Sequence, residues 1–155
     1  MRTLAIGDIH GCFTALLAVA DAAEITTDDR LVTLGDYIDR GPEVPQVLGW
    51  LRDRYRTGNL VPLLGNHELM LQAGRENTHA YECWLANGGR DTLLAYTPPG
   101  MEPSLEHFPQ EDWEFIEKAL SIRSYSFCLE THFRSSSTFT GSAVSSTANI
   151  EPSFE

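Results

Sequence analysis

The sequence predicts an α/β fold assembled from βαβ units, and three observations carry that reading. Short apolar runs recur at Thr3 to Ile6, Leu31 to Leu34 and Leu60 to Leu64. Each ends in a glycine followed by a polar residue, and the stretches between them carry apolar residues at helical spacing. Mostly apolar strands joined by helices imply a parallel sheet covered on both faces.

The first strand stops at Gly7 and Asp8, and Leu16, Leu17, Val19, Ala20 and Ala23 form the apolar stripe of the helix that follows. The second strand ends at Gly35 and Asp36. A helix from about Glu43 to Tyr55 comes next, with Val44, Val47, Leu48 and Leu51 as its buried face and Pro42 near its start, where proline is tolerated. Gly58 and Asn59 break the chain before the third strand, which ends at Gly65 and Asn66 ahead of a helix from about Glu68. Beyond residue 76 the pattern is helical but less regular: Tyr81 to Ala86, a Gly88–Gly89 break, Thr92 to Tyr96, a Pro98–Pro99–Gly100 loop, then Glu111 to Leu120. Trp50, Trp84 and Trp113 fall on these helical patterns and read as core. From Ser121 to Glu155 serine and threonine runs replace apolar clusters, a composition that buries too little surface to offset its ordering entropy. The expected division is therefore 1–120 as the folded part and 121–155 as a poorly ordered tail.

A length of 155 residues fits one domain with a real core. No apolar run approaches the roughly 18 residues of a membrane span, and Met1, Arg2 and Thr3 lead into Leu4 without a signal-peptide profile, so the expected location is the cytoplasm, away from membranes. Cys12, Cys83 and Cys128 are odd in number and unpatterned, which favours reduced thiols over disulfides or a thiolate metal site; Cys12 reads as a packing residue. The net charge of -11, from 11 basic and 22 acidic residues, opposes nucleic acid and anionic lipid as partners. A phosphate-bearing substrate would need local positive charge, which a bound cation supplies.

In a parallel α/β sheet the strand C-termini share one edge, and ligands bind there. Three polar clusters are delivered to it: Gly7-Asp8-Ile9-His10-Gly11, Gly35-Asp36-Tyr37-Ile38-Asp39-Arg40-Gly41, and Gly65-Asn66-His67-Glu68. Asp8 and His10 are two apart and can face one ion, and carboxylate, imidazole and amide oxygen together suit Mn²⁺, Fe²⁺ or Zn²⁺. Helix capping accounts for a single Gly-Asp after a strand. It does not account for His10, the Asp39–Arg40 pair and Asn66-His67-Glu68 at matching positions. His79, His107 and His132 lie outside the clusters and read as surface or capping residues, and no GxGxxG or GxxxxGK[ST] loop follows any strand.

The three clusters match GDxHG, GDxxDRG and GNHE, in order and without a mismatch. On them the chain resembles the calcineurin-like metallophosphoesterases, in the phosphoprotein phosphatase branch that includes serine/threonine phosphatases and symmetrical diadenosine tetraphosphate hydrolases. Trp84 to Gly89 is similar to the helix and turn that follow in bacterial and phage-type members, so the resemblance covers residues 1–120. It implies an α-β-β-α sandwich, of which the first sheet's βαβ units and helices are expected here. It also implies two divalent metals, Mn²⁺ foremost with iron or Zn²⁺ as alternatives: Asp8 and His10 on the first, Asp36 bridging, Asn66 on the second. His67, held by Asp39, becomes the proton donor, and Arg40 the phosphate-oxygen partner.

The implied activity is hydrolysis of phosphomonoesters, foremost phosphoserine and phosphothreonine of proteins, through attack of a metal-bridging hydroxide. A phosphoprotein or small phosphoester is the expected substrate. The shared motifs equally fit diadenosine tetraphosphate hydrolysis. The family's later Val-His-Ala/Gly strand and final histidine have no match, so the second metal site is expected to be incomplete, and an inactive metal- or phosphate-binding fragment is the alternative from another class. One explanation is out-of-frame translation, since TTC GTC CAC (Phe-Val-His) shifted by one base reads Ser-Ser-Thr, the residues at 136–138.

Overall fold

A computed structural model describes residues 2–119. The expectations placed on 121–155, including the Ser/Thr tail, its reading frame, Cys128 and His132, lie outside the described residues. Three strands, β1 (Thr3–Ile6), β2 (Arg30–Thr33) and β3 (Leu60–Pro62), form a parallel sheet in the order β1-β2-β3. Leu4 lies beside Leu31 and Ala5 beside Val32, and Leu31 and Val32 in turn lie beside Leu60 and Val61. β3 closes at Pro62, two residues short of the apolar run, and the last bond to β2 is the Leu63 N–H on the Thr33 carbonyl at 2.8 Å.

The helices are α1 (Phe13–Ala22), α2 (Val44–Arg56), α3 (Asn66–Glu76), α4 (Thr78–Trp84), α5 (Arg90–Tyr96) and α6 (Gln110–Glu114). Leu85–Gly89 joins α4 to α5 through a kink, with Gly88 outside helical backbone at φ 109°, where the sequence suggested a break. α2 buries Val44, Val47, Leu48 and Leu51 completely, as its spacing requires. Pro45, at the second helical position, spares the helix a proline penalty, and Arg54 and Arg56 end it on the favourable side of its dipole. The first turn of α1 borrows its cap: Glu43 accepts the Thr14 N–H at 3.0 Å and its hydroxyl at 2.8 Å.

One core joins Leu31 and Leu60 of the sheet to Leu16, the α2 face, Leu71, Trp84, Leu93, Phe108, Trp113 and Ile116. Val32 and Leu63 are buried outside it, and Leu34 is exposed. α1 and α2, the helices that link the strands, both pack into this one core, so the linking helices do not divide between the two faces as expected. Because β1, β2 and β3 step across the sheet in one direction, right-handed crossovers carry α1 and α2 to the same face. Trp50 packs against this core half-buried, under the Arg54 guanidinium at 5.3 Å. One further reading needs correction: Cys12 is exposed, its Sγ donating to the His10 carbonyl at 3.3 Å. No helix among the described residues is long and apolar enough to cross a membrane.

The start of the sheet is pinned by a nearly buried Asp29, whose carboxylate takes Arg2 Nη2 at 2.7 Å, Arg2 Nε at 3.0 Å and the Thr26 N–H at 2.9 Å. The Arg2 hydrogen bond, with the Thr26 N–H, holds this carboxyl well below the usual range. The folded chain thus binds fewer protons here than the unfolded one. The stability Asp29 contributes is full above the unfolded aspartate value of about 4 and is lost as pH falls below it. Thermal melts from pH 6 down to pH 3 should show a smaller loss of Tm in Asp29→Asn than in the unaltered chain.

Candidate metal centre

The three strand-end loops are stitched to one another by backbone before any side chain is considered. The N–H groups of Ile9 and His10 donate to the Asp36 carbonyl at 3.0 and 2.8 Å, Gly11 N–H to the Tyr37 carbonyl at 2.8 Å, and Glu43 N–H to the Gly11 carbonyl at 2.8 Å. At Gly41 an added Cβ would lie 2.2 Å from the His10 carbonyl oxygen, so the glycines that frame the first two motifs permit this contact. Five non-glycine residues among those described have positive φ, and four are motif residues: His10 (46°), Asp36 (53°), Asp39 (69°) and Arg40 (68°). Left-handed backbone at such residues persists only where the surroundings enforce it, and it concentrates at functional sites.

The side chains converge accordingly. His10, Asp36 and His67 each place a potential ligand atom within 4.8 Å of the others. His10 Nδ1 lies 3.0 Å from the Ile38 carbonyl and its Nε2 lies 2.9 Å from Arg40 Nη1. A carbonyl can only accept and a guanidinium can only donate, so these neighbours fix the tautomer with the proton on Nδ1 and the lone pair on Nε2. Asp8, largely exposed, brings Oδ2 to 4.0 Å from the same Nε2. The His10 and His67 rings meet edge to face at 4.7 Å. His67 is buried, its Nδ1 2.7 Å from Asp39 Oδ2, which leaves Nε2 as its free nitrogen. Asn66 opens α3, exposed, immediately before His67, whose own N–H donates to Asp36 Oδ1 at 3.1 Å. Asp36 and the two imidazoles, with Asp8 at the rim outside that converging group and the His10 Nε2 lone pair taken by Arg40 in this structure, are donors of the kind that suit a hard or borderline divalent cation.

Two features went unread in the sequence. Glu68 is fully buried and accepts four backbone N–H groups: Asp36 and Gly65 on Oε2, each at 3.0 Å, and Tyr37 and Ile38 on Oε1 at 2.8 and 3.3 Å. Burial pushes this carboxyl up to about 7, against the N–H bonds from Tyr37 and Asp36, which favour the ionised form. Gly65 has no room for a side chain there, since a Cβ would sit 2.3 Å from the Asp36 nitrogen. Asp39, also fully buried, has partners besides His67: Trp84 Nε1, at 2.9 and 3.1 Å from its two oxygens, and the Thr92 hydroxyl, 2.6 Å from Oδ1. Burial drives the Asp39 carboxyl upward, opposed by the bonds from Thr92, His67 and Trp84. Trp84 was read as packing alone, and an indole N–H that must find a partner when buried was the available signal.

A family model described as calcineurin-like phosphoesterase matches residues 1–139. The chain belongs to the calcineurin-like phosphoesterases. Its α/β architecture is accordingly that of a metallophosphoesterase domain, and the family is one of hydrolases that use divalent metal ions. Over 85 residues the chain is 39% identical to serine/threonine-protein phosphatase 1 of Salmonella typhimurium, a stretch that is 54% of this chain and 37% of that protein. Over 75 residues it is 44% identical to the symmetrical bis(5'-nucleosyl)-tetraphosphatase of Salmonella paratyphi B, covering 47% of this chain and 26% of that protein. The matched stretch thus spans about a quarter to a little over a third of these relatives' own length.

Within this phosphoesterase domain, removing the Glu68 carboxylate strands four backbone donors in a buried site. Each unsatisfied donor costs about 1–3 kcal/mol, so Glu68→Ala should lose at least about 3 kcal/mol in urea unfolding. A loss below about 1 kcal/mol, the usual size for a surface change, would contradict this role.

Proposed function

We propose that this chain carries the site of a metal-dependent phosphomonoesterase, acting foremost on phosphoserine or phosphothreonine of proteins. The observation that carries the reading is the convergence of His10, Asp36 and His67 ligand atoms within 4.8 Å, with the Arg40 guanidinium against His10. Asp8 and His10 would hold one divalent ion, Asp36 would bridge to a second, and Asn66 would contribute to that second ion; Mn²⁺ is the expected metal. Such ions, when bound, supply Lewis-acid polarisation of phosphate oxygens and a water acidic enough to act as nucleophile near neutral pH.

The chain's own residues do the rest. Ile38, through its carbonyl, keeps the His10 proton on Nδ1 and the lone pair on Nε2, where a cation would have to displace the Arg40 N–H. Arg40 is exposed, and its guanidinium presents further N–H donors in a planar fork suited to phosphate oxygens. Asp39 fixes the His67 ring by its Nδ1, so Nε2 is the atom that delivers a proton to the departing alkoxide. Glu68 holds the Asp36 loop against the start of α3, and with it the spacing between Asp36 and Asn66. The overall charge of -11 disfavours nucleic acid as a partner. The likeness to a symmetrical bis(5'-nucleosyl)-tetraphosphatase supports a second reading, hydrolysis of a dinucleoside polyphosphate.

Mn²⁺ should stimulate hydrolysis of p-nitrophenyl phosphate, and Asp36→Asn should return the rate to background; an unchanged rate excludes the site. Comparing a phosphoserine peptide with diadenosine tetraphosphate separates the two substrate readings. One metal per chain by calorimetry with no turnover of either would identify a binding fragment instead. For His67→Asn the leaving group decides the outcome. General-acid catalysis contributes about 10²–10⁴-fold, so the rate on a phosphoserine peptide should fall by at least about 100-fold. On p-nitrophenyl phosphate, whose leaving group departs without a proton, the loss should be far smaller.

A further inference from the structure

Building on the role proposed above for His67, we propose that Thr92 and Trp84 are positioning residues, holding the Asp39 carboxylate in the orientation that fixes the His67 imidazole. Neither lies in the three motifs, and they stand 53 and 45 residues from Asp39 in the chain.

A carboxylate turns readily about its last side-chain torsion, and Asp39 starts from left-handed backbone at φ 69°. The Thr92 hydroxyl closes a small ring on it. It accepts the Asp39 backbone N–H at 2.9 Å and donates to Asp39 Oδ1 at 2.6 Å, tying the backbone of that residue to its own side chain. Trp84 Nε1 straddles both oxygens at 2.9 and 3.1 Å, which leaves Oδ2 directed at His67 Nδ1, 2.7 Å away. No water is needed to hold the carboxylate, because each oxygen has two donors and the residue is fully buried.

The segment between the two residues is shaped for this. Trp84 and Thr92 are eight residues apart, roughly 12 Å along a straight α-helix, yet both reach Asp39 Oδ1, at 3.1 and 2.6 Å. The kink within Leu85–Gly89, where Gly88 leaves helical backbone, makes the change of direction. Gly88, at φ 109°, offers its carbonyl to the Arg40 N–H at 3.3 Å, and a Cβ on Gly89 would fall 2.3 Å from the Trp84 ring.

Two nearly isosteric substitutions separate positioning from packing. Thr92→Val keeps the shape and loses the hydroxyl, whereas Thr92→Ser keeps the hydroxyl and loses the methyl. The first readout is the downfield proton NMR signal of His67 Nδ1–H, assigned by its absence in His67→Asn. The second is kcat and KM on a phosphoserine peptide with Mn²⁺. Positioning predicts that Thr92→Val shifts or loses the signal and lowers kcat about 10–100-fold with KM little changed, and that Thr92→Ser restores both. An unmoved signal and kcat in Thr92→Val, or losses in Thr92→Ser as large as those in Thr92→Val, would overturn the proposal. Should Thr92→Val melt below the measuring temperature, Trp84→Phe, which removes the indole N–H, is read by the same criteria. If the unaltered chain hydrolyses nothing, the phosphoesterase reading fails while the NMR comparison still decides this one.

Discussion

The site depends on a single buried carboxylate that belongs to no substrate contact. Glu68 draws the N–H groups of Asp36, Tyr37 and Ile38 and that of Gly65 onto its two oxygens, and so closes the second loop against the third. The first loop is then bound to the second by backbone alone, through the Asp36 and Tyr37 carbonyls. Ionised, Glu68 satisfies donors that a buried loop could not otherwise leave unpaired, and desolvation is the cost set against that gain. With the loops fixed, the side chains that can hold a cation have little choice of position.

Left-handed backbone is the second part of the same constraint. His10, Asp36, Asp39 and Arg40 all adopt it although none is glycine, and in each case another loop or helix accepts a hydrogen bond from that residue's N–H. The resulting turns aim a dense cluster of acidic and imidazole groups at one edge of a three-stranded sheet, in a chain whose net charge of -11 would otherwise repel phosphate. A cation bound at this cluster, as proposed, would together with the Arg40 guanidinium locally reverse that field. Function and overall charge are compatible because the field at the site is set within a few ångströms, where screening is weak.

Much of this was legible in the sequence because the motifs are contiguous and the chemistry is local to each loop. The α2 face of Val44, Val47, Leu48 and Leu51, and the meeting of His67 with Asp39, are found as the spacing and the motifs suggested. The rest was hidden for identifiable reasons. Which faces of the sheet are covered depends on strand order and crossover hand, and no strand's composition encodes these. Trp84 and Thr92 find Asp39 across 45 and 53 residues through a kink at Gly88, where helical periodicity loses its phase. Glu68 carried no signal as an organising group because its partners are backbone donors, which every residue but proline possesses.

The central claim is that these loops, and no other acidic cluster, hold the cation. Paramagnetic broadening of backbone amide signals by substoichiometric Mn²⁺ tests it most directly, since the effect falls off steeply with distance and needs no turnover. The account predicts that amides of residues 7–11, 35–41 and 65–68 disappear first, while those at the C-terminal end of α2 and in α6 persist. Broadening centred on α6, or spread evenly over the acidic surface, would contradict it.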